Sequence, residues 1–352
     1  GVQPADVHLN ALRAVHLNAL RAVMRAVALV LVASVASGLR AAHRRIAARA
    51  RVTMGGAGDV KRWFVDAGLG EAKPSGGSLG GSGWSQTGKW VTDDASYFVK
   101  QSSRSCASMF AGEAAGLTAM RDAAGDAGGL RIPEVFVAKD YEDGKGSFIV
   151  MEFLNMGSRG DMHAFGRAMA QMHLSSPAVP EAAAGQFGFP VDNTIGATPQ
   201  PNGWTDDWVA FYRDKRLAHQ VNLAGDASID NLWRKLKPRL GEFFDADEAI
   251  APVILHGDLW SGNIGTAEGA PSIFDPACYF GHHEAEWGMS WCASLGPQFW
   301  QGYRELIPEA PKFAQRRPLY EAYHQLNHYN LFGGGYRGAA CQCLEQCLKS
   351  LD

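Results

Sequence analysis

Three polar side chains in the last third of the chain have the types and the spacing that phosphoryl transfer requires. His256-Gly257-Asp258 follows a short apolar run, Asn263 lies five residues after Asp258, and Asp275 lies twelve residues beyond Asn263. In such a pattern, one carboxylate lies beside the acceptor hydroxyl group. The amide and the second carboxylate bind the magnesium that contacts the phosphates of a nucleoside triphosphate. Magnesium prefers oxygen ligands of this kind. The pattern predicts kinase chemistry, with Asp258 as the catalytic base and Asn263 and Asp275 as metal ligands.

A lysine and a glutamate upstream favour this interpretation over a plain hairpin in which Asp and Asn only form the turn. Residues 95–100 alternate in polarity as a strand does and end at Lys100, and Glu113 lies thirteen residues later in a helical stretch. Such an ion pair orients the α- and β-phosphates in kinases. Taken singly, Lys100 also fits an exposed edge-strand lysine, and Glu113 also fits a solvated helix face. In this order along the chain, the two residues predict an ATP site.

The glycine-rich stretch before the lysine strand has two interpretations. Residues 73–89 read KPSGGSLGGSGWSQTGK, which suits a flexible linker or a glycine hairpin that lies over phosphates. Because the lysine strand follows directly, we favour the hairpin and predict phosphate contacts from Gly76, Gly77 and Ser78.

Two more predicted strands, at 133–138 and 147–151, complete a small β-rich region. The extended segment that follows is a candidate hinge whose backbone contacts adenine, and its residues are Met151, Glu152, Phe153 and Leu154. Later segments are mostly helical by their periodicity, apart from a long loop at 186–204. They include predicted helices at 284–294 and 317–329, with Pro318 near the boundary of the second. We therefore predict an α+β fold of two lobes, with a small ATP-binding N-lobe (54–154) and a large helical C-lobe (155–352) that carries the catalytic and acceptor site.

The first ~52 residues differ in composition from the rest of the chain. They contain eight Arg, no Lys and one acid, and the octad HLNALRAV is repeated at 8–15 and 16–23. An Arg-rich, acid-poor, amphipathic segment is typical of an organelle transit peptide, so residues 1–53 are predicted to be a leader to the plastid, with mitochondrial or cytoplasmic location as alternatives. A secretory signal and an extra helix packed on the domain are the rivals. The apolar stretch at 26–39 is too short for a membrane span.

The remainder of the chain is acidic, since residues 53–352 hold 25 Lys and Arg against 35 Asp and Glu. This balance argues against nucleic acid as a partner. Six cysteines are present, and Cys341, Cys343 and Cys347 cluster near the end without a matching pair at zinc spacing. We interpret them as thiols of a terminal helix, with redox pairing or metal binding as the alternative.

The motifs resemble the fructosamine-3-kinase (ketosamine-3-kinase) family, which has the fold of aminoglycoside phosphotransferases and protein kinases. The resemblance covers essentially residues 54–350, and Trp260 together with the loop to Trp204 separates it from generic choline or aminoglycoside kinases. The glycine-rich stretch at 73–89 differs most from the family's pattern, because it contains more glycines and lacks a cysteine. The matching stretches are HGDLWSGN (256–263), DPACYFGHHEAEWGMS (275–290), YFVKQ (97–101), MFAGEAAGL (109–117), VMEFLNM (150–156), FGFPVDNTIGATPQPNGWTDDWVAFYRDKRL (187–217) and LYEAYHQLNHYNLFGGGY (319–336).

The resemblance implies the reaction. ATP with Mg²⁺ phosphorylates the 3-hydroxyl group of ketosamines, which are sugars joined to lysine side chains of glycated proteins. The product is unstable and releases the lysine, which is protein deglycation. The resemblance assigns to Lys100, Glu113, Asp258, Asn263 and Asp275 the roles already deduced. It favours ribulosamine and erythrulosamine over fructosamine as acceptors.

The acceptor pocket is the part that the residues define least. Trp204, Trp260 and His283 are candidate lining residues, and core packing is the competing interpretation for them. Glu286 is expected to be structural rather than a substrate contact. The substrates expected are glycated proteins or small ketosamines, and the chain is expected to be a monomer or weak dimer. Alternative functions are a small-molecule kinase of the aminoglycoside or choline type, and a non-catalytic pseudokinase or glycated-protein binding module.

Overall fold

The computed structural model describes residues 56–77, 79, 85–125, 129–157 and 160–352. The predicted leader and Ser78 lie outside these residues. The strands are β1 (Lys73–Pro74), β2 (Gln86–Val91), β3 (Ser96–Ser102), β4 (Val135–Asp140), β5 (Ser147–Glu152), β6 (Met156–Gly157), β7 (Asn193–Ile195), β8 (Thr198–Gln200), β9 (Val253–Leu255), β10 (Ile264–Ala267), β11 (Ala270–Ile273) and β12 (Tyr279–Gly281). The α-helices are α1 (Gly56–Asp66), α2 (Ala107–Ala124), α3 (Met162–Leu174), α4 (Pro180–Ala183), α5 (Trp208–Phe211), α6 (Ala218–Ala224), α7 (Ala227–Leu236), α8 (Ser290–Ala293), α9 (Gly296–Arg304), α10 (Phe313–Phe332) and α11 (Arg337–Leu351).

The N-lobe is built on an antiparallel sheet of five strands in the order β1-β2-β3-β5-β4. Side chains of a strand alternate between faces. Tyr97 and Val99 of the central strand β3 are buried in a cluster with Phe64 of α1. Phe98 and Lys100 therefore point to the opposite face, toward α2 and the C-lobe.

The C-lobe is mainly helical and holds the larger core. Helices α3, α9 and α10 pack around a short 3₁₀ helix, His283–Met289, which follows strand β12. The chain also forms a 3₁₀ turn at Ser261–Asn263, a 3₁₀ helix at Lys237–Phe243 and a π-helix at Tyr212–Leu217. Strand β9 pairs with β12, and β10 pairs with both β11 and β6. These short pairings fix the loops that carry the predicted catalytic residues.

Most predicted elements are observed close to their expected bounds, and three differ in an informative way. The predicted loop at 186–204 contains the β7–β8 hairpin, whose Asn193 and Gln200 are buried and hydrogen-bonded to each other at 2.8 Å. The predicted helix at 284–294 is mostly 3₁₀. Pro318 was expected near a helix boundary but lies within α10. Proline at this position, the sixth residue of α10, costs the helix one hydrogen bond, because it has no N–H to donate to the carbonyl group four residues earlier.

The described residues belong to one compact unit. None of the helices in this described part of the chain is long and apolar enough to cross a membrane. The three clustered cysteines lie on α11 as predicted, and all six cysteines of the chain are free thiols.

Candidate active site

Lys100 lies at the centre of an ion-paired cluster between the two lobes. Its Nζ is 2.7 Å from Glu113 Oε1 and 2.6 Å from Asp275 Oδ1. Burial disfavours the charge of Lys100, but Glu113 and Asp275 outweigh this effect, so the pKa of the lysine is raised. The cluster thus brings together three residues that are separated by up to 175 positions in the chain.

Helix α2 can carry Glu113 to this position because two glycines allow the helix to approach the C-lobe closely. A Cβ atom on Gly112 would lie 2.6 Å from Asn193 Cβ, and one on Gly116 would lie 3.0 Å from Cys278 Cβ. Helix α2 therefore packs on the β7–β8 hairpin and on the segment after Asp275. Larger side chains at the two glycines would push Glu113 away from the cleft.

The turn at residues 256–258 carries Asp258, the predicted catalytic base, and we call it the catalytic turn. It is hydrogen-bonded to the buried carboxylate of Glu286. Glu286 Oε2 accepts a hydrogen bond from the backbone N–H of His256 at 2.6 Å, and Oε1 accepts one from Gly257 at 3.0 Å. His256 Nδ1 accepts from the N–H of Asp258 at 3.2 Å, so Nε2 carries the proton and donates to the carbonyl oxygen of Phe274 at 2.9 Å. His256 is fully buried, and burial lowers its pKa and keeps it neutral.

Two residues of the site have left-handed backbone conformations. Gly257 has φ +78°, and a Cβ there would lie 2.2 Å from the carbonyl oxygen of Ala277, so only glycine fits. Asp275 has φ +60°, which is unusual for a residue with a side chain. Strained conformations of this kind are concentrated at functional sites, where the surrounding structure enforces them.

Asn263 links the two carboxylate residues. Its Nδ2 donates to the backbone oxygen of Asp258 at 2.9 Å and to that of Asp275 at 3.3 Å. Both partners are acceptors, so the amide orientation is fixed and Oδ1 faces away from them. Among the described residues, this Oδ1 accepts no hydrogen bond.

Asp258 is enclosed by the site, and its carboxyl group has an elevated pKa. Burial, followed by the charges of Asp275 and Glu286, raises this pKa to about 7. A carboxyl group with this pKa can exchange a proton near neutral pH, which suits a general base.

A cavity of about 590 Å³ lies between the lobes and brings the predicted residues together. Its apolar wall is formed by Phe98, Met151, Leu154 and Phe274. Its polar end and rim include Lys100, Glu113, Thr194, Gly196, Asp258, Trp260, Asn263 and Asp275. A cavity of this size is typical of sites for small molecules and cofactors.

Two of the three predicted acceptor residues lie elsewhere. Trp204 stacks on Phe280, with ring centroids 6.2 Å apart, and does not line the cavity. His283 faces a separate shallow depression beside Trp300 and Phe313. Only Trp260 of the three reaches the cavity, and its side chain is 42% exposed at the rim.

The glycine-rich stretch folds as a hairpin where it is described. The N–H of Ser75 donates to Lys89 at 2.8 Å, and the N–H of Leu79 donates to Thr87 at 3.0 Å. Leu79 and Thr87 line the cavity together with Ser85, whereas Gly76 and Gly77 do not. A hairpin, rather than a flexible linker, is the interpretation that we favoured for this stretch. The residues of the hairpin that line the cavity are not the two glycines predicted to contact phosphate.

The predicted hinge leaves strand β5 beside the apolar wall. The backbone N–H of Glu152 donates to Glu134 at 2.7 Å, and that of Phe153 donates to Ser96 at 3.4 Å. In the described part of the chain, the N–H of Leu154 has no hydrogen-bond partner. Met151, Glu152 and Leu154 line the cavity, and Lys89 Nζ lies 4.5 Å from the ring centre of Phe153.

Sequence reasoning missed Thr194 and Gly196, and it recognised Glu286 only as structural. Thr194 and Gly196 belong to the β7–β8 hairpin, which was predicted as loop. The Asn-Thr-Ile-Gly-Ala-Thr order at 193–198, a short turn between polar residues, was the available signal for that hairpin. No local pattern could show that Glu286 points at the catalytic turn.

A two-lobed α+β fold with a lysine–glutamate pair, an enclosed aspartate and an Asn/Asp pair in one cleft defines a phosphotransferase of the protein-kinase-like class. The chain belongs to the fructosamine kinase family, since the sequence model of that family matches residues 71–350.

Two relatives illustrate the membership. The protein-ribulosamine 3-kinase, chloroplastic, of Oryza sativa subsp. indica is 43% identical over 298 residues, covering 83% of this chain and 84% of the relative. The protein of the same name in Arabidopsis thaliana is 41% identical over 298 residues, covering 83% and 88%.

Solved structures agree on the fold. A crystal structure described as "Putative fructosamine-3-kinase from Haemophilus somnus 129PT" has a TM-score of 0.71 at 21% identity and covers 83% of this chain and 97% of that one. A thermostable mutant of aminoglycoside phosphotransferase APH(4)-Ia, in a ternary complex with AMP-PNP and hygromycin B, has a TM-score of 0.52 at 16% identity, covering 83% and 97%.

Proposed function

We propose that this kinase transfers the γ-phosphoryl group of ATP to the 3-hydroxyl group of ketosamines on protein lysines, with ribulosamine and erythrulosamine preferred over fructosamine. The observation that carries the proposal is the convergence of Lys100, Asp258, Asn263 and Asp275 on one cleft in a member of the fructosamine kinase family. The names of the relatives from Oryza and Arabidopsis support the preference for ribulosamine.

The donor atoms in the cleft fit magnesium. Among the described residues, Asn263 Oδ1 accepts no hydrogen bond. Asp275 Oδ1 pairs with Lys100, and the side chain of Asp275 is 54% exposed. Both offer hard oxygen ligands, which magnesium prefers. When bound, magnesium neutralises the charge that develops on the phosphate oxygens. We assign Asn263 and Asp275 to hold it.

Lys100 and the hinge account for nucleotide binding. Glu113 keeps Lys100 extended into the cleft, from which its ammonium group can reach the α- and β-phosphates. The N–H of Leu154, which has no hydrogen-bond partner in the described part of the chain, suits a ring nitrogen of adenine. The neighbouring apolar wall suits the faces of the ring. A structural neighbour that was crystallised with AMP-PNP supports the use of ATP.

Asp258 acts on the acceptor. Its carboxylate accepts the proton of the sugar hydroxyl group as that oxygen attacks the γ-phosphorus, and its position on a turn anchored by Glu286 fixes the direction of attack. Trp260 at the rim offers an aromatic face for the sugar. Positioning and electrostatics supply most of the rate in such reactions.

We also propose that the chain acts in the plastid. The two plant relatives are named as chloroplastic, and the Arg-rich, acid-poor composition of residues 1–53 is typical of a transit peptide. A fusion of residues 1–60 to a fluorescent protein tests this location. Fluorescence that stays outside plastids would contradict it.

The activity is tested by ADP release with ribulosyl-lysine, erythrulosyl-lysine and fructosyl-lysine as acceptors. We expect the highest kcat/KM with the first two and no turnover with choline or an aminoglycoside. Asp258→Asn should lower kcat by at least about 10³-fold, while ATP binding by fluorescence titration is retained. Turnover of choline or an aminoglycoside in preference to every ketosamine would refute the proposal and favour the small-molecule kinase alternative.

A further inference from the structure

A cluster of four aromatic side chains, two of them exposed and two partly buried, lies outside the cavity on the C-lobe. It consists of Trp291, His328, Phe332 and Tyr336, and we call it the aromatic platform. The ring of His328 lies 5.7 Å from Trp291, 5.6 Å from Phe332 and 4.9 Å from Tyr336. Trp291 is 41% exposed and Phe332 is 66% exposed. Trp291 and Phe332 therefore belong to one cluster, joined through the ring of His328, rather than being separate exposed residues.

The platform adjoins the acceptor end of the cleft on two sides. Helix α8, which carries Trp291, packs against the turn Ser261–Asn263 that directly follows Trp260. Next to Phe332, Leu331 packs against the β7–β8 turn, since a Cβ on Gly196 would lie 3.0 Å from Leu331 Cδ1. Trp260, Asn263 and Gly196 all line the cavity. The helices that carry the aromatic platform thus contact two segments that line the cavity.

Three other residues that are strongly exposed and apolar lack this organisation. Val65, Leu174 and Leu223 are each more than half exposed, and they lie on three different helices. Single exposed apolar residues are ordinary on protein surfaces, whereas a contiguous patch that is rimmed by polar residues marks an interaction site. Aromatic side chains dominate binding energy at such surfaces.

We propose that the aromatic platform binds the polypeptide that carries the ketosamine, and that it favours substrates with an apolar or aromatic residue close to the glycated lysine. This inference rests on the proposed function. A lysine side chain has a four-carbon stem, so a sugar on its end that reaches Asp258 keeps the substrate backbone just outside the cleft. Asp258, Trp260 and Gly196 belong to the C-lobe, so we expect the substrate backbone to lie beside this lobe, which also carries the platform.

The test compares free ribulosyl-lysine with two ribulosylated peptides that differ only in a Phe or Ser beside the modified lysine. For the unmodified kinase, we expect a higher kcat/KM on the Phe peptide. Phe332→Ala and Trp291→Ala should each lower kcat/KM on that peptide about tenfold, as expected for interface aromatic residues. The same variants should keep the activity on free ribulosyl-lysine, which also shows that they fold. Leu223 is an exposed apolar residue on α6, and Leu223→Ala is the matched control. It should leave kcat/KM unchanged on both the Phe peptide and free ribulosyl-lysine.

Several outcomes would overturn this inference while leaving the proposed function intact. Equal losses on the peptide and on free ribulosyl-lysine would place the two aromatics in folding or sugar binding. Unchanged peptide kinetics would show that the platform does not contact the substrate. Sedimentation of the unmodified chain as a dimer that Phe332→Ala dissociates would show that a second copy covers the platform. Failure of the unmodified chain to phosphorylate any ketosamine would instead refute the proposed function.

Discussion

Replacement of Glu286 by Gln tests whether the carboxylate of Glu286 positions the catalytic turn. The carboxylate of Glu286 is buried and accepts two backbone N–H groups of the turn, one from His256 and one from Gly257. Burial opposes ionisation, but His173, whose Nε2 lies 3.5 Å away, and the polar groups of His256 outweigh it and lower the pKa of Glu286. A glutamine has the same shape, but it offers one acceptor oxygen and one NH₂ group.

The expected loss of stabilising free energy follows from these two hydrogen bonds. A hydrogen bond to a charged group contributes about 1.5–3 kcal/mol, and a buried N–H without an acceptor is destabilising by about 1–3 kcal/mol. Glu286→Gln keeps one weakened bond and turns an NH₂ group toward the other N–H. We expect the variant to lose about 2–4 kcal/mol at the turn itself. A displacement of Asp258 of about 1 Å would lower kcat roughly 10²-fold.

The pH profile separates positioning from general loss of stability. The negative charge of Glu286 is one cause of the raised pKa of Asp258, so removing that charge moves this pKa toward lower values. We expect the acid limb of kcat/KM to shift to lower pH in Glu286→Gln, together with the fall in kcat. ADP release with ribulosyl-lysine from about pH 5 to 9 measures both effects.

Glu284→Gln is the matched control, because Glu284 is an equally buried carboxylate two residues away. Its oxygens pair with Arg316, each at 2.7 Å, and do not touch the catalytic turn. We expect this control to lower the melting temperature without moving the acid limb. Wild-type kcat and an unshifted acid limb in Glu286→Gln would refute the reasoning about positioning.

The remaining predictions concern the ionisation of Asp258 and the packing of two helices. The pKa of Asp258 is about 7, so this carboxylate gains a proton as the pH decreases below about 7, and kcat/KM for ATP should fall. A pH profile of kcat/KM that stays flat down to about pH 5 would contradict the assignment of Asp258 as the base. In a separate test by thermal unfolding, Gly166→Ala should lower the melting temperature by roughly 5–10 °C, since its Cβ would lie 2.0 Å from the carbonyl oxygen of Phe299 on α9. Gly241→Ala, whose Cβ would meet nothing within 4 Å, should leave the melting temperature nearly unchanged, and an equal effect of both changes would disprove the packing argument.

Local sequence was sufficient where chemistry and backbone geometry are encoded within a few residues. Asp258 and Asn263 occupy one turn between two short strands, and their spacing alone predicted their convergence. Lys100 could be recognised because alternation placed it on a strand and because Glu113 followed in a helical stretch. These features depend on main-chain periodicity and on short-range turns, which the amino-acid order determines directly.

The acceptor side depended on tertiary packing. Trp204 and Trp260 have the same side chain, yet one stacks on Phe280 and the other reaches the rim of the cavity. His283 turns away from the cleft because the 3₁₀ helix that it begins packs against α10 with Glu286 on the side of the catalytic turn.

The amino-acid sequence alone therefore indicated the class of chemistry and the residues predicted to handle phosphate, metal and proton. The tertiary structure decided which of the predicted aromatic residues line the cavity, that Glu286 accepts hydrogen bonds from the turn of Asp258, and that Trp291 and Phe332 meet through His328. The physical reason is that the direction of a buried side chain depends on contacts between segments far apart in the chain. Such contacts leave no periodic pattern in either segment.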